Sequence, residues 1–178
     1  MAWSTPLTAV SNATLTAAQW NASVRDNLAE TAPAKATTAG SIFAGTGANS
    51  IAERIPSGDT VGTSQTTTST SYVDLATVGP SVTVTTGVLA FVFVSCQMTN
   101  NTGTIGSFMS FTVSGATTVA ATDGSSLVHY PTTAGLPMQA TRAVSQGLTA
   151  GSNTFTAKYR AAANTGTFSQ RGLAVIPF

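Results

Sequence analysis

The feature that most constrains the fold is an alternating apolar run over residues 88–98. Every second residue in this run is apolar or cysteine, which places these side chains on one face of an extended strand. Leu89, Phe91 and Phe93 occupy the opposite face, so the first half of the strand is expected to be buried on both sides. An Asn-Asn-Thr-Gly cluster at 100–103 ends the run with a turn.

Residues 58–178 predict a mainly β head with turn signals about every ten residues. No helical periodicity intervenes, which argues against a parallel α/β sheet. Seven to nine short strands at this spacing predict an antiparallel β-sandwich or jelly roll. Besides the run at 88–98, we expect strands near 72–78, 82–85, 108–113, 117–122, 138–148, 154–160 and 166–176.

The strongest helix signal lies near the N-terminus, at about residues 16–29. Thr16 is a good N-cap and Gln19 follows three residues later, which is the spacing of a capping box. Trp20, Val24 and Leu28 recur at intervals of four and form one apolar stripe. This stripe needs a surface to pack against, either the head of the same chain or a neighbouring subunit or partner.

Residues 31–57 are rich in Ala, Thr, Gly and Ser and have no sustained periodicity. Such a stretch predicts an extended arm or linker. We therefore expect two parts: an N-terminal anchor over 1–57, made of the helix and the arm, and a β-sandwich head over 58–178.

The composition indicates a protein with an unusually neutral surface. Only 7% of the residues are charged and the formal net charge is +1, while threonine makes up about a fifth of the chain. Typical soluble domains have roughly 25% charged residues, so much of this surface is expected to be covered by partners. The scattered basic residues give no reason to expect binding to nucleic acid or to a membrane.

No catalytic or metal-binding constellation is visible, and we expect neither an enzyme nor a cofactor. His129 is the single histidine, and Cys96 lies in the apolar run, where a thiol is inert. A polysaccharide-degrading activity would need a carboxylate pair among Asp59, Asp74 and Asp123.

A receptor-binding surface on the head is the remaining possibility for a site. Tyr72, His129 and Tyr130 are the candidate receptor-facing residues, since loops of β-sandwich heads carry aromatic and polar groups to the surface.

The chain ends resemble structural proteins of actinobacterial phages and prophages. The resemblance is carried by MAWSTP at 1–6, LTAAQWN at 15–21 and VRDNL at 24–28, with Trp20 where other members often have a different apolar residue. LTAGSNTFTAKYR at 148–160 and RGLAVIP at 171–177 are similar to the last two strands of phage jelly-roll heads. Such proteins are described as minor tail proteins, tail fibres or head-surface proteins.

The resemblance implies a virion protein attached by its N-terminus and displaying its head. The expected anchoring residues are Trp3, Leu15, Trp20, Val24 and Leu28. We expect a homotrimeric capsid decoration or head-fibre protein that binds the major capsid protein or another virion protein. It would be assembled in the host cytoplasm and located in the virion. A tail fibre that binds a receptor is the alternative.

Overall fold

The computed structural model describes residues 4–8 and 10–178 and divides the chain into two compact units. The first unit spans Met1–Ile55 together with Phe178, and the second spans Pro56–Pro177. Trp3, one of the expected anchoring residues, lies outside the described residues.

The first unit contains the predicted helix. It consists of α1 (Ala17–Trp20), a π-helical segment (Asn21–Arg25) and α2 (Asp26–Ala29), followed by the short α3 (Ala32–Lys35). The capping box is confirmed: the backbone N–H of Gln19 donates to Oγ1 of Thr16 at 3.2 Å, and the N–H of Thr16 donates to Oε1 of Gln19 at 3.0 Å. These two bonds satisfy amide groups that the first helical turn leaves free.

The expectation of an extended arm over 31–57 is wrong for most of its length. After α3 the chain forms an antiparallel hairpin of β1 (Ile42–Gly47) and β2 (Ser50–Arg54). Asn49 adopts φ +56°, a conformation that asparagine tolerates well in tight turns. Glu53 accepts the backbone N–H groups of Thr37 (3.0 Å) and Thr38 (2.8 Å), which holds the preceding segment against β2.

The second unit is a sandwich of two antiparallel sheets, and the predicted fold class is confirmed. Its strands are β3 (Ser57–Val61), β4 (Gln65–Thr67), β5 (Ser81–Thr86), β6 (Leu89–Asn100), β7 (Ser107–Gly115), β8 (Leu127–His129), β9 (Met138–Gly147), β10 (Gly151–Ala161) and β11 (Gly166–Pro177). The four-stranded sheet has the order β5-β10-β7-β8; the five-stranded sheet has the order β3-β11-β6-β9, with β4 also paired to β11. This alternation of chain segments between two antiparallel sheets is typical of a jelly roll.

The core lies between the two sheets, and β6 supplies a large part of it. The strand has the expected alternation, with Ala90, Val92, Val94, Cys96 and Met98 all buried. Val88 is an exception because it precedes the strand and is exposed. The opposite face of β6 is partly exposed rather than buried: Phe91 keeps 40% of its surface exposed, and Leu89 and Phe93 are half-buried. The rest of the core comes mainly from Met109, Phe111, Val113, Phe155, Tyr159, Phe168, Leu173 and Val175.

Two predicted strands are absent as continuous strands. Over 72–78 only Val73 pairs with the sheet, through a bridge to Tyr159. The chain bends at Ala76 and Thr77, and the Thr77 N–H donates to Oε1 of Gln65 at 2.9 Å instead of to a strand. Over 117–122 only Val119 pairs, with Val113, because the chain folds back after Gly115.

A β-bulge in β11 changes which side chains face the core. Ser169 pairs with Gln97, whereas Gly172 pairs with Ser95, so β11 contains one extra residue at this point. Gln170 lies in the bulge with φ +46°. The extra residue resets the alternation, so that Arg171, Leu173 and Val175 point inward.

Arg171 is completely buried, at 0% exposure, and it is hydrogen-bonded to neutral oxygens. Nη1 donates to the carbonyls of Thr77 and Gly79, both at 3.2 Å, and Nη2 lies 3.4 Å from the carbonyl of Thr63 and from Oε1 of Gln65. The guanidinium thereby fastens the long connection between β3 and β5 to the end of the sandwich. Burying a charge is costly unless such bonds compensate it.

We predict that Arg171→Met lowers the free energy of unfolding of the protein by roughly 3 kcal/mol, because it leaves buried carbonyls without donors. Arg171→Lys should give a free energy of unfolding between those of Arg171→Met and the unsubstituted protein, since one ammonium cannot reach all of these acceptors. Chemical denaturation followed by circular dichroism measures both. As a control, Lys158→Met breaks a surface ion pair with Asp74 and should cost less than about 1 kcal/mol. Equal midpoints for Arg171→Met and the unsubstituted protein would contradict the assigned role.

Candidate functional site

An apolar groove in the first unit contains most of the expected anchoring residues. The cavity measures about 360 Å³, and none of the described residues that line it is charged. Leu15 and Trp20 both line it, and Trp20 keeps 55% of its surface exposed. The residues around the groove are Leu7, Thr8, Val10, Ala13, Thr14, Leu15, Gln19, Trp20, Ser23 and Val24.

One wall of the groove is an extended N-terminal segment that a buried asparagine fixes to the helix. Asn27 is 3% exposed and its amide bonds in both directions to Ser4: Oδ1 accepts the Ser4 N–H at 2.9 Å, and Nδ2 donates to the Ser4 carbonyl at 3.1 Å. The N–H of Leu7 donates to Oγ of Ser23 at 3.1 Å. These contacts position Leu7 opposite the helix. Sequence reasoning missed Asn27 because its partner lies 23 residues away.

The π-helical segment explains why Leu28 does not line the groove although it lies on the predicted stripe. In a regular α-helix Trp20, Val24 and Leu28 would share one face. The wider π-helical turn over Asn21–Arg25 shifts the residues that follow it around the helix axis. Trp20 and Val24 therefore line the groove, while Leu28 is 59% exposed outside it.

On the head, Tyr72 belongs to a polar cluster that the sequence did not indicate. Its hydroxyl donates to Oδ1 of Asp123 at 2.8 Å, and Arg160 binds the same carboxylate through Nε at 2.9 Å and Nη2 at 2.5 Å. The hydrogen bond from Arg160 is the main reason that the pKa of Asp123 is lowered. Burial, followed by the bond to Asp123, raises the pKa of Tyr72 to about 12.

Tyr130 lies beside this cluster and is the most exposed of the three predicted receptor-facing residues. Its ring meets Phe108 edge-on, with 5.9 Å between centroids and 83° between planes. The guanidinium of Arg160 covers the same Phe108 ring at 3.7 Å. Tyr130 itself is 56% exposed. His129 is half-buried, and its Nε2 lies 3.0 Å from the carbonyl oxygen of Leu136.

The acidic residues considered for glycosidase chemistry are held by different partners. Asp123 pairs with Arg160, Asp74 pairs with Lys158 at 2.7 Å, and Asp59 accepts the backbone N–H of Ser81 at 2.8 Å. Over residues 4–8 and 10–178, no group of three or more His, Cys, Asp or Glu residues is placed to hold a metal ion.

Cys96 lies in the core of the head, and burial raises the pKa of its thiol to about 12. Within the part of the chain that the structure describes, no helix is both long and apolar enough to cross a membrane.

Comparison with known proteins identifies similar folds and no family. No family model matches the chain, and no curated protein matches it. Among solved structures, the chain is similar to Eiger, a TNF from S. frugiperda, with 12% identity and a TM-score of 0.46 over 70% of this chain and 92% of that one. It is also similar to a structure of infectious bursal disease virus Gx strain, with 11% identity and a TM-score of 0.45 over 74% of this chain and 35% of that one.

A carbohydrate-binding module from Cellvibrio mixtus lichenase 5A, in complex with cellotriose, has 13% identity and a TM-score of 0.30. The matched region covers 81% of this chain and 92% of the module. Likenesses at these values have no bearing on function.

We predict that Asn27→Ala releases the N-terminal segment from the helix, because both backbone groups of Ser4 lose their partner. Amide hydrogen exchange measured by NMR should become faster at Ser4, by at least about tenfold if the lost bonds contribute roughly 1.5 kcal/mol. Asn21→Ala, in the same helix, is the control and should leave this rate unchanged. Unaltered exchange at Ser4 in Asn27→Ala would show that the hydrogen bonds between Asn27 and Ser4 do not hold the groove wall.

Proposed function

We propose that the chain is a non-enzymatic structural protein of a bacteriophage virion, anchored through its first unit and displaying the jelly-roll head. The observation that carries this proposal is the groove with its exposed apolar side chains. An uncharged surface containing Trp20, Leu15 and Val10 is unfavourable in water and gains stability when a partner covers it. The major capsid protein, or another virion protein, is the proposed partner.

The residues that carry the phage resemblance support this proposal through their positions. Thr16 and Gln19 cap the helix, Asn27 fixes the N-terminal segment, and Trp20 lines the groove. The resembling sequence thus coincides with the residues that form the groove, as expected for a motif that maintains an attachment site.

The surface of the head favours assembly into a homotrimer on the particle. The exposed ion pair Asp74–Lys158 neutralises its own charges. Near its β5 edge, the four-stranded sheet has hydroxyl pairs such as Thr83–Thr154, with 2.8 Å between their Oγ1 atoms. Neutral sheets of this kind can pack together without desolvating unpaired charges. Light scattering should give the mass of three chains.

We propose capsid decoration as the role on the particle, in which bridging of capsid subunits stabilises the shell by mass action. A tail fibre is the second candidate, favoured by the exposed Tyr130 on the head. Quantitative mass spectrometry of purified particles separates the two, since hundreds of copies indicate decoration and a handful indicates the tail.

We predict that Trp20→Glu reduces the number of copies per particle by at least about tenfold. The substitution removes roughly 1.5–3 kcal/mol of apolar burial and places a charge in the contact. Because Trp20 is largely exposed in the isolated chain, the melting temperature should stay the same. Val88→Glu, at a site on the head that is 74% exposed, is the control and should leave incorporation unaffected. Normal copy numbers for Trp20→Glu would refute anchoring through the groove.

A further inference from the structure

The head carries a second surface that anchoring does not use. We propose that Tyr130, together with the Asp123–Arg160 pair, forms a binding site for a neutral oligosaccharide on the outer side of the four-stranded sheet. We call this surface the Tyr130 ledge; it comprises Tyr72, Phe108, Asp123, Val128, Tyr130 and Arg160. The inference goes beyond the virion role and does not depend on it.

Strand register places the members of the ledge side by side. Arg160 of β10 lies opposite Phe108 of β7, and Phe108 lies opposite Val128 of β8. Tyr130 follows Val128 by two residues, so it belongs to the same side of the sheet. Arg160 and Tyr130 are thus about two strand spacings apart, roughly 10 Å. A ligand of two or more sugar rings would span this distance.

The ring of Tyr130 is held in place before any ligand binds. A Cβ atom at Gly106 would lie 2.7 Å from Cε1 of Tyr130 and 2.7 Å from Cε2 of Phe108, so only glycine permits this packing. The carbonyl of Gly106 accepts the Ala162 N–H at 2.8 Å, which fixes the backbone beneath the ring. Pro131, the next residue, is buried. A rigid, half-exposed aromatic ring loses little conformational entropy when a ligand stacks on it.

The polar end of the ledge has hydrogen-bonding capacity left for sugar hydroxyls. An ionised carboxylate has about four acceptor sites. Asp123 uses three of them for Tyr72 and Arg160, and 59% of its side chain is exposed. Because Arg160 neutralises this carboxylate, the ledge has no net charge among these groups, which favours a neutral ligand over an anionic one. An aromatic ring beside a planar polar pair matches the apolar C–H face and vicinal hydroxyls of a sugar.

Saturation-transfer difference NMR on the full chain tests this, with maltotriose, cellotriose, chitobiose and galactobiose as probes. We expect at least one of them to give a saturable signal. Tyr130→Ala should weaken that affinity by at least about tenfold, as expected when a stacked aromatic worth roughly 1.4 kcal/mol is removed. Tyr130→Phe should retain the affinity because the ring remains. Asp123→Asn should weaken the affinity because the charge of Arg160 is then no longer neutralised.

The controls separate binding from folding and from anchoring. Val88→Ala, exposed elsewhere on the head, should bind as the unsubstituted protein does. Trp20→Glu should bind normally too, so that failure of the anchor and failure of the ledge are distinguishable. If no probe binds, if Tyr130→Ala binds as well as Tyr130→Phe, or if only a proline-rich peptide used for comparison binds, the proposal is overturned.

Discussion

The buried guanidinium of Arg171 is the constraint on which the head depends. It reaches its position only because the bulge at Gln170 inserts one residue into β11. The same insertion turns Leu173 and Val175 toward the core. Through the carbonyls of Thr63 and Thr77, Arg171 also holds the connection that carries Tyr72 to the ledge. The stability of the sandwich and the arrangement of its exposed aromatic cluster thus share one charged side chain.

The head could be predicted from sequence wherever alternation was uninterrupted, and β6 is the clearest case. The bulge in β11 could not be predicted in this way. It puts an arginine at a core position and breaks the apolar pattern between Phe168 and Leu173. The segment 72–78 has strand-forming residues, yet only Val73 pairs with a strand, because the backbone of Thr77 bonds to the side chains of Gln65 and Arg171 instead. The bulge in β11 and the limited pairing of residues 72–78 both depend on long-range contacts, which the local sequence pattern does not reveal.

In the first unit, features that depend on residues close in sequence could be predicted, whereas features that depend on contacts between distant residues could not. The Thr16–Gln19 cap spans three residues and could be predicted from spacing alone. The clamp between Asn27 and Ser4, and the hairpin that replaces the expected arm, depend on contacts across many residues. The π-helical segment separates Leu28 from Trp20 and Val24, because sequence periodicity assumes a uniform helix. Four of the five expected anchoring residues are described, and three of these line the groove.

The burial of Cys96 has a consequence for any encounter between two copies of the head. With its pKa raised to about 12, the thiol has almost no thiolate at neutral pH, and it is enclosed by the core. Disulfide exchange requires a thiolate that another sulfur can reach. Two folded heads that meet in oxidising surroundings are therefore not cross-linked through this cysteine, and the thiol becomes reactive only when the sandwich unfolds.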